Sequence, residues 1–321
     1  MLHNKIKNNK VPLFSIIMPV YNKEEYIERS LNSVFVQNEK DFELIVINDG
    51  STDSSYEKLL EYKRKFHFTL INQSNKGVSV SRNNGINKAI GDYICFLDPD
   101  DTWNEKFLST IKKAIKDSSP QVITTGFRIV SMEDSEHTCE YYNRMSDDHF
   151  FTFKDFLLNV KGGGIQFSTI STCIKRELFN SVGYFPVGES RGEDIDLWLR
   201  IMEREPKAFW IHNILATYYR NIVGSLTRTD LGEYREKEIN RTIKNMIPTH
   251  HKIKGLLEIF NNYYEQVYLE REIGKNTAKI RYLKNYYIHK DIKFVTKYLL
   301  FALLPGIISN YLISLYRKLR K

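Results

Sequence analysis

The chain has 321 residues, of which 42% are hydrophobic and 27% are charged. This composition is typical of a globular protein, and the length allows one large domain with an appendage or two domains. Three widely spaced cysteines argue against a disulfide framework and against a zinc site, and they fit a reducing cytoplasm. The net charge of +8 comes without any nucleic-acid-binding module, so we expect no nucleic acid partner. Residues 1–12 are polar and basic, and we expect a flexible N-terminus without a secretory signal.

Strands and helices alternate in the first hundred residues. Apolar runs predict strands over Leu13–Met18, Leu44–Ile47, Phe68–Ile71 and Asp92–Phe96. Helical spacing of apolar residues predicts helices over Ile27–Phe35 and Val80–Ile90, and Asn22 with Glu25 matches a capping box for the first of them. This alternation predicts an α/β fold with a mostly parallel, doubly wound sheet.

The periodicity is weaker after residue 101. The patterns predict a helix near Phe107–Ile115, a strand pair over Val122–Val130, a polar excursion over 131–150, a strand over Phe167–Ile174, a helix over Gly192–Met202 and strands over Ala208–Tyr219. Beyond residue 230 the pattern is helical. We therefore expect a helical C-terminal extension after the α/β domain.

Three carboxylates, from Asp98, Asp100 and Asp101, follow the fourth predicted strand directly. A buried strand cannot hold unpaired carboxylates cheaply, so they should lie at the carboxyl edge of the sheet, where open α/β sheets bind ligands. Two acids one residue apart suit a hard divalent cation, Mg²⁺ or Mn²⁺, and through it a diphosphate. A solvated acidic turn is the alternative.

Polar residues also follow the other three strands. The helix N-termini that come after them offer free N–H groups to phosphate. Asp49 can accept a hydrogen bond from the imide N–H of uracil, and Tyr21 can stack on that base. Taken singly, Asp49 is also compatible with a turn cap and Tyr21 with a core aromatic residue.

Taken together, the four motifs resemble the inverting glycosyltransferase family 2, of the non-processive bacterial type. The segments that carry the resemblance are Ser15–Asn22, Val46–Asp53, Asn75–Asn83 and Phe96–Asp101. The resemblance covers about residues 13–225 and implies the GT-A fold. It implies a catalytic domain over 13–228, with a nucleotide-binding half at 13–101 and an acceptor-binding half at 102–228.

The resemblance also implies roles for individual residues. It implies nucleotide-sugar binding by Pro19, Tyr21, Asn22, Asp49, Asp53, Gly77, Arg82 and Asp98, and a divalent metal, Mn²⁺ or Mg²⁺, on Asp100. The segment Gly192–Arg200 resembles the E-D motif of the family, which makes Asp194 the catalytic base, with Glu193 positioning it or the acceptor.

The roles of the acids in this helix, of His212 and of Trp198 each have more than one interpretation. Acids favour the first turn of a helix without any catalytic role, and Asp196 is a second candidate for the base. His212 is a late metal ligand or base, or a packing or surface residue. Trp198 lies in the acceptor wall or in the core.

The region 229–321 is helical and basic. Its apolar segment Tyr298–Tyr316 is interrupted by Pro305 and followed by a basic tail, which favours docking of interfacial helices on the anionic inner leaflet of the cell membrane. A cap on the catalytic domain or on a homodimer partner, and a true membrane span, are the alternatives. We expect a cytoplasmic protein that is peripheral at the membrane.

The function implied by the resemblance is transfer of a single sugar from a nucleotide-diphosphate sugar, with UDP favoured, to a glycan or polyprenyl-linked glycan. The product would serve bacterial surface polysaccharide synthesis. The Q-x-x-R-W motif of processive members is absent from the sequence, which favours one sugar per encounter. A non-catalytic, nucleotide-sugar-binding scaffold subunit is the alternative.

Overall fold

The computed structural model describes residues 11–131, 139–142, 147–162, 167–188, 192–205, 207–220, 238–249, 254 and 257–258. The chain divides into two compact units, residues 1–256 and 257–321. Of the second unit only Leu257 and Glu258 are described, and both are helical. Most of the predicted N-terminal segment and the predicted interfacial segment Tyr298–Tyr316 lie outside the described residues. Within the described ranges, no helix is both long enough and apolar enough to cross a bilayer.

The first unit contains ten strands and eight helices among its described residues. The strands are β1 (Phe14–Val20), β2 (Phe42–Asp49), β3 (Thr69–Gln73), β4 (Tyr93–Phe96), β5 (Thr102–Trp103), β6 (Val122–Ser131), β7 (Cys139–Tyr142), β8 (His149–Thr152), β9 (Thr172–Lys175) and β10 (Lys207–Arg220). The helices are α1 (Ile27–Phe35), α2 (Ser55–Lys65), α3 (Val78–Lys88), α4 (Phe107–Ser118), α5 (Phe153–Gly162), α6 (Leu178–Val182), α7 (Glu193–Arg204) and α8 (Glu238–Met246).

These strands form one sheet in the order β3-β2-β1-β4-β9-β6-β10-β5, with β7 added beside β6 and β8 beside β10. Strands β1 to β4 pair in parallel, as the alternation of strands and helices predicted. Strand β9 runs antiparallel to both β4 and β6, while β10 is parallel to β6. The α/β class is confirmed, and the sheet is mixed in its second half.

Strand β1 lies in the middle of the parallel half and is buried along its whole length. Ile16 and Met18 belong to the core cluster that also contains Leu31 of α1. Ile17 lies against α3, where an added Cβ on Gly85 would come within 2.4 Å of the Ile17 side chain. A glycine at this position lets α3 approach the sheet closely, and this fixes the start of α3 at the carboxyl edge.

The capping box predicted from Asn22 and Glu25 is wrong. The N-cap of α1 is Tyr26, and the helix begins at Ile27. Asn22 has a positive φ of 50°, a conformation that asparagine tolerates better than most residues. Its side chain is bonded to Thr52 instead of capping the helix.

The second half departs from the predictions because its strands meet partners that are distant in sequence. The strand pair predicted over Val122–Val130 is one strand, β6, and the polar excursion predicted over 131–150 contains β7 and β8. In the strand predicted over Phe167–Ile174, residues 169–171 form a 3-10 turn and β9 begins only at Thr172. Strand β10 is continuous, with register shifts between Ile211 and Ala216.

Candidate active site

The predicted donor-binding residues lie at one edge of the sheet. Ile17 of β1 is paired with Ile45 of β2 and with Phe96 of β4, all in parallel, so the loops after these three strands leave the sheet side by side. Tyr21 and Asn22 follow β1, Asp49 ends β2, and the acids follow β4. This carboxyl edge is where ligands bind in open α/β sheets.

Asp49 is buried and anchors the loop that precedes α3. Its Oδ1 accepts hydrogen bonds from Gln73 Nε2 at 2.7 Å and from the Lys76 backbone N–H at 2.9 Å. Its Oδ2 accepts the backbone N–H of Gly77 at 2.9 Å, and Gly77 has the positive φ of 89° that a glycine adopts easily. The carboxylate therefore shapes this loop, and its contact with a base stays a prediction.

The loop after β1 is tied to the turn after β2. Asn22 Oδ1 accepts the Thr52 N–H at 2.8 Å, and Asp53 Oδ2 accepts the Glu24 N–H at 3.1 Å. Burial alone would raise the pKa of Asp53, but hydrogen bonds from Glu24 and Ser55 hold that pKa below its usual value. Asn22 and Asp53 thus fix the loop that presents Tyr21, whose side chain is 44% exposed.

Pro19, also predicted at the nucleotide, is buried within β1 opposite Ile47. The hydrogen bonds of Asn22 and Asp53 hold the loop after β1 to the turn after β2. The nucleotide contacts of Pro19, Tyr21, Asn22 and Asp53 stay predictions.

Arg82, from the second turn of α3, is the link between the two halves of the site. Its guanidinium is buried and donates to Asp98 Oδ1 at 2.8 Å and to Glu193 Oε1 at 3.0 Å. The guanidinium carbon also lies 5.2 Å from the centroid of the Phe185 ring. Burial alone would lower the pKa of Arg82, but the negative charges of Asp98 and Glu193 raise it.

The three acids after β4 have different partners. Asp98 faces Arg82, whereas Asp100 Oδ2 lies 2.9 Å from the ammonium of Lys23. Burial and the charge of Asp98 raise the pKa of Asp100, and Lys23 opposes that rise. Asp101 is fully buried, its Oδ1 accepts the Tyr219 N–H at 2.8 Å, and its Oδ2 has no partner among the described residues.

Burial and the charges of Asp100 and Asp98 raise the pKa of Asp101 well above its usual value. This geometry suggests that Asp101 holds the end of β10 against the acidic turn, which comprises residues 98–101. The edge as a whole carries more negative than positive charge.

Two cationic residues of this site, Lys23 and Arg29, were missed by the sequence analysis. Arg29 donates to the Asp100 carbonyl at 2.5 Å and lies 3.6 Å from the Tyr219 ring centroid. The signal was available, because parallel pairing of β1 with β4 brings the residues after the first strand next to those after the fourth.

Asp194 and Glu193 lie in the first turn of α7. Arg82 connects this helix to the acidic turn, because it forms ion pairs with both Glu193 and Asp98. Glu193 is fixed by its ion pair with Arg82. Asp194 is partly buried, and its Oδ1 accepts the Ile195 N–H at 2.8 Å. Burial and the charge of Glu193 raise the pKa of Asp194 to about 7, against the opposing effect of Arg82. A carboxyl group with this pKa can accept a proton near neutral pH.

The second candidate for the base, Asp196, is 1% exposed and fully engaged. Arg200 donates to its Oδ2 through Nε at 2.9 Å, and Thr242 of α8 donates to its Oδ1 at 2.5 Å. These bonds hold α7 to α8 and leave Asp196 no access to an acceptor.

The structure also settles the readings left open for Trp198 and His212. Trp198 is fully buried and stacks on Phe167, which confirms the core reading. His212 pairs with Asp148 at 2.6 Å. It lies seven residues before Tyr219 in β10, where the register against β6 shifts, and its partner Asp148 is not one of the acids that follow β4.

Residues 15–179, just over half of the chain, match the family model described as glycosyl transferase family 2. The chain belongs to glycosyl transferase family 2. The resemblance seen in the four sequence motifs is thereby confirmed at the level of the family.

Family 2 relatives match different shares of the chain. The putative teichuronic acid biosynthesis glycosyltransferase TuaG of Bacillus subtilis is 28% identical over 213 residues, which is 65% of this chain and 80% of TuaG. The glycosyltransferase GlyA of Streptococcus pneumoniae is 34% identical over 137 residues, and the matched part spans only 19% of GlyA. The GalNAc(5)-diNAcBac-PP-undecaprenol beta-1,3-glucosyltransferase of Campylobacter jejuni is 26% identical over 65% of each chain.

Among solved structures, the fold resembles that of S. aureus TarS 1-349 in complex with UDP-GlcNAc. The TM-score is 0.64, the sequence identity is 18%, and the match covers 88% of each chain. At this identity the likeness concerns the fold alone, and it confirms the GT-A fold that the family resemblance implied.

The acidic edge fits a divalent cation as a partial ligand set. Asp98 and Asp100 supply hard carboxylate oxygens, and Oδ2 of Asp101 has no hydrogen-bond partner among the described residues. In the described part of the chain, no three side chains of Asp, Glu, His or Cys converge on one point. Mg²⁺ and Mn²⁺ are usually held by one or two carboxylates together with substrate phosphates and water, so two acids suffice on the protein side.

Proposed function

We propose that this family 2 protein is an inverting glycosyltransferase that transfers one sugar from a nucleotide-diphosphate sugar, with UDP as the favoured nucleotide. The observation that carries the proposal is the pair of ion pairs made by Arg82. They hold Asp98, on the donor side, next to Glu193 and hence next to Asp194. An inverting transfer needs such an arrangement, because the base and the leaving group act on opposite faces of the sugar.

In the proposed reaction, Asp194 removes the proton of the acceptor hydroxyl. The acceptor oxygen then forms the new bond to the anomeric carbon while the bond from that carbon to the diphosphate breaks. The electron pair of the broken bond leaves with the nucleoside diphosphate. A base with a pKa of about 7 is deprotonated in an adequate fraction at neutral pH and still accepts a proton readily. Glu193, which is held by Arg82, positions Asp194 beside it in the first turn of α7.

We assign the divalent cation, Mn²⁺ or Mg²⁺, to Asp100, with Asp98 beside it. When bound, the metal would offset the negative charge that develops on the departing diphosphate. Asp49, Gly77 and the loop residues Pro19, Tyr21, Asn22 and Asp53 would form the nucleotide side of the site, and Arg82 and Asp98 would lie nearest the sugar.

The acceptor is proposed to be a glycan or polyprenyl-linked glycan in bacterial surface polysaccharide synthesis. Support comes from two relatives: TuaG is named for teichuronic acid biosynthesis, and the Campylobacter jejuni glucosyltransferase is named for an undecaprenol-linked glycan. UDP as donor nucleotide is supported by TarS, a fold neighbour solved with UDP and with UDP-GlcNAc. A peripheral position at the cytoplasmic membrane face follows from such an acceptor.

Thermal unfolding in the presence of nucleotides tests the donor assignment. UDP, GDP, CDP and dTDP are compared with and without Mn²⁺, for the wild type and for Asp100→Ala. A ligand at about a hundred times its dissociation constant adds about 2.7 kcal/mol of stability, which is a shift of several degrees. We expect a Mn²⁺-dependent shift with UDP that Asp100→Ala loses.

The scaffold alternative has a distinct signature in the same preparations. A scaffold would bind UDP-sugar and never consume it, with or without acceptor. The absence of a shift with all four nucleotides would contradict the donor site itself.

A further inference from the structure

Lys23 is a buried cation at the acidic turn. It lies three residues before Tyr26, the N-cap of α1, and its backbone N–H donates to Ser55 Oγ at 2.8 Å. Its side chain is 9% exposed, and the ammonium lies 2.9 Å from Oδ2 of Asp100, whose side chain is 14% exposed. Apart from Asp100, no described residue offers this ammonium a hydrogen-bond acceptor. The ion pair thus leaves donor capacity on Lys23 unused.

The two other cationic side chains described for this site, Arg82 and Arg29, have partners other than the Asp100 carboxylate. Arg82 donates to Asp98 and Glu193, and Arg29 donates to the backbone carbonyl of Asp100 while covering the Tyr219 ring. Lys23 is therefore the counter-ion of the Asp100 carboxylate, which is the group assigned to the divalent cation. A metal ion and an ammonium on the same carboxylate oxygen would repel each other strongly at such distances.

We infer that Lys23 and the divalent cation compete for Asp100, and that the ammonium transfers to the diphosphate oxygens of the donor when the metal binds. This inference rests on the proposed function, since it needs a diphosphate donor. The lysine side chain is suited to the exchange, because its compact charge sits on a flexible four-carbon stem. In the donor complex both cations would then face the diphosphate.

The consequence is a coupling between metal binding and nucleotide binding. Without nucleotide, the metal must displace Lys23 from Asp100 before any diphosphate is present to receive the ammonium, so the metal binds weakly. With a nucleoside diphosphate present, the displaced ammonium has a partner, and the metal binds more tightly. By linkage, the metal must raise the affinity for the nucleotide by the same factor.

Titration of Mn²⁺, followed by the electron paramagnetic resonance signal of the free ion, measures this coupling without an activity assay. The dissociation constant is measured with and without saturating UDP for the wild type, Lys23→Gln and Lys23→Arg. Lys112→Gln is the matched control, because it removes the same charge from an exposed lysine that pairs with Glu39 at 2.8 Å. Lys23→Met is a second neutral variant in case Lys23→Gln fails to fold.

We expect Lys23→Gln to bind Mn²⁺ at least about tenfold more tightly than the wild type in the absence of UDP, a change worth about 1.4 kcal/mol. The tightening of Mn²⁺ binding by UDP should shrink in this variant, and UDP alone should bind more weakly. Lys112→Gln should behave like the wild type, and Lys23→Arg, which keeps the positive charge, should keep the weak binding of Mn²⁺ in the absence of UDP.

Equal Mn²⁺ affinity and equal coupling in Lys23→Gln and the wild type would overturn the inference, and Lys23 would then be a structural counter-ion only. Failure of every variant to bind Mn²⁺, with or without UDP, would also overturn it, since nothing would compete for Asp100. The transferase assignment is judged separately, by product formation, so the two failures are distinguishable.

Discussion

The guanidinium of Arg82 lies between Asp98 and Glu193, 2.8 Å from Oδ1 of the first and 3.0 Å from Oε1 of the second. These acids belong to motifs on opposite sides of the proposed reaction, one on the donor side and one next to the base. The buried arginine thus sets the distance between them. We propose that it positions these two acids, since both of its terminal amino groups donate to protein carboxylates.

The Arg82→Lys variant should separate the effect of the guanidinium geometry from the effect of the positive charge. A lysine keeps the positive charge but cannot hold two carboxylates with a rigid fork, so the base and the donor side should lose their alignment. Misplacement of reacting groups by about 1 Å can cost about a hundredfold in rate, and we expect a loss of kcat of that order, with a smaller change in KM. Steady-state kinetics of sugar transfer measure both constants.

Arg64→Lys, in an exposed position on α2, is the control for that exchange and should leave kcat unchanged. A kcat for Arg82→Lys close to that of the wild type would show that the arginine does not position the reacting groups.

The pH dependence of kcat should report Asp194. The base must be deprotonated, and burial together with Glu193 raises the pKa of Asp194 to about 7, while Arg82 opposes the rise. We expect kcat to increase as pH rises and to level off about one unit above that pKa. An increase in kcat centred near pH 4 would mean that Asp194 has an ordinary carboxyl pKa, which would contradict the environment described for it.

The same raised pKa predicts an effect on stability. Between the unfolded value near 3.8 and the folded value of about 7, the native state binds more protons than the unfolded state, so Asp194 destabilises the fold increasingly as pH rises through this interval. Asp194→Asn should therefore be more stable than the wild type by about 1–2 kcal/mol at about pH 8, after allowance for solvent near a partly exposed group. The difference should almost vanish near pH 4.

Urea unfolding of the two proteins at both pH values measures this difference. A stabilisation by Asp194→Asn that is the same at both pH values would mean that titration of this carboxyl group is not its cause.

Asp196→Asn should damage the fold rather than the chemistry. Asp196 accepts hydrogen bonds from Arg200 and Thr242, and the loss of a buried ion pair costs about 3–5 kcal/mol. We expect a large fall in the free energy of unfolding, with a near-normal kcat at temperatures where the variant is folded. A normal stability combined with complete loss of turnover would reinstate Asp196 as a candidate for the base.

The sequence was sufficient for the parallel half of the fold because each strand there is a short apolar run closed by polar residues. The second half was less predictable, since β6, β9 and β10 depend on partners distant in the chain. The register of β9 against β4, with Cys173 opposite Cys95, cannot be inferred from local patterns. Helical spacing placed α1 correctly over Ile27–Phe35, but local propensity misassigned its cap, because tertiary bonds to Thr52 hold the Asn22 side chain.

The candidate site shows the same division. Residue types at the end of the fourth strand were enough to single out Asp98 and Asp100 as candidates, and the family resemblance singled out Asp194. They were not enough to show that Arg82 faces protein carboxylates, or that Lys23 pairs with Asp100, because ion pairs between distant segments depend on packing. Asp49 is intermediate: its position was predictable, whereas its hold on the Lys76 and Gly77 amides was not.

The most direct test of the account is acceptor-dependent transfer by the wild type and by Asp194→Asn. A panel of UDP-sugars is offered with a polyprenyl-diphosphate-linked glycan and Mn²⁺. UDP release and the anomeric configuration of the product are measured, and UDP affinity is determined for both proteins. We predict a product of inverted configuration from the wild type, and from Asp194→Asn normal UDP binding without transfer. A product of retained configuration, or turnover by Asp194→Asn close to that of the wild type, would contradict Asp194 as the base of an inverting glycosyltransferase.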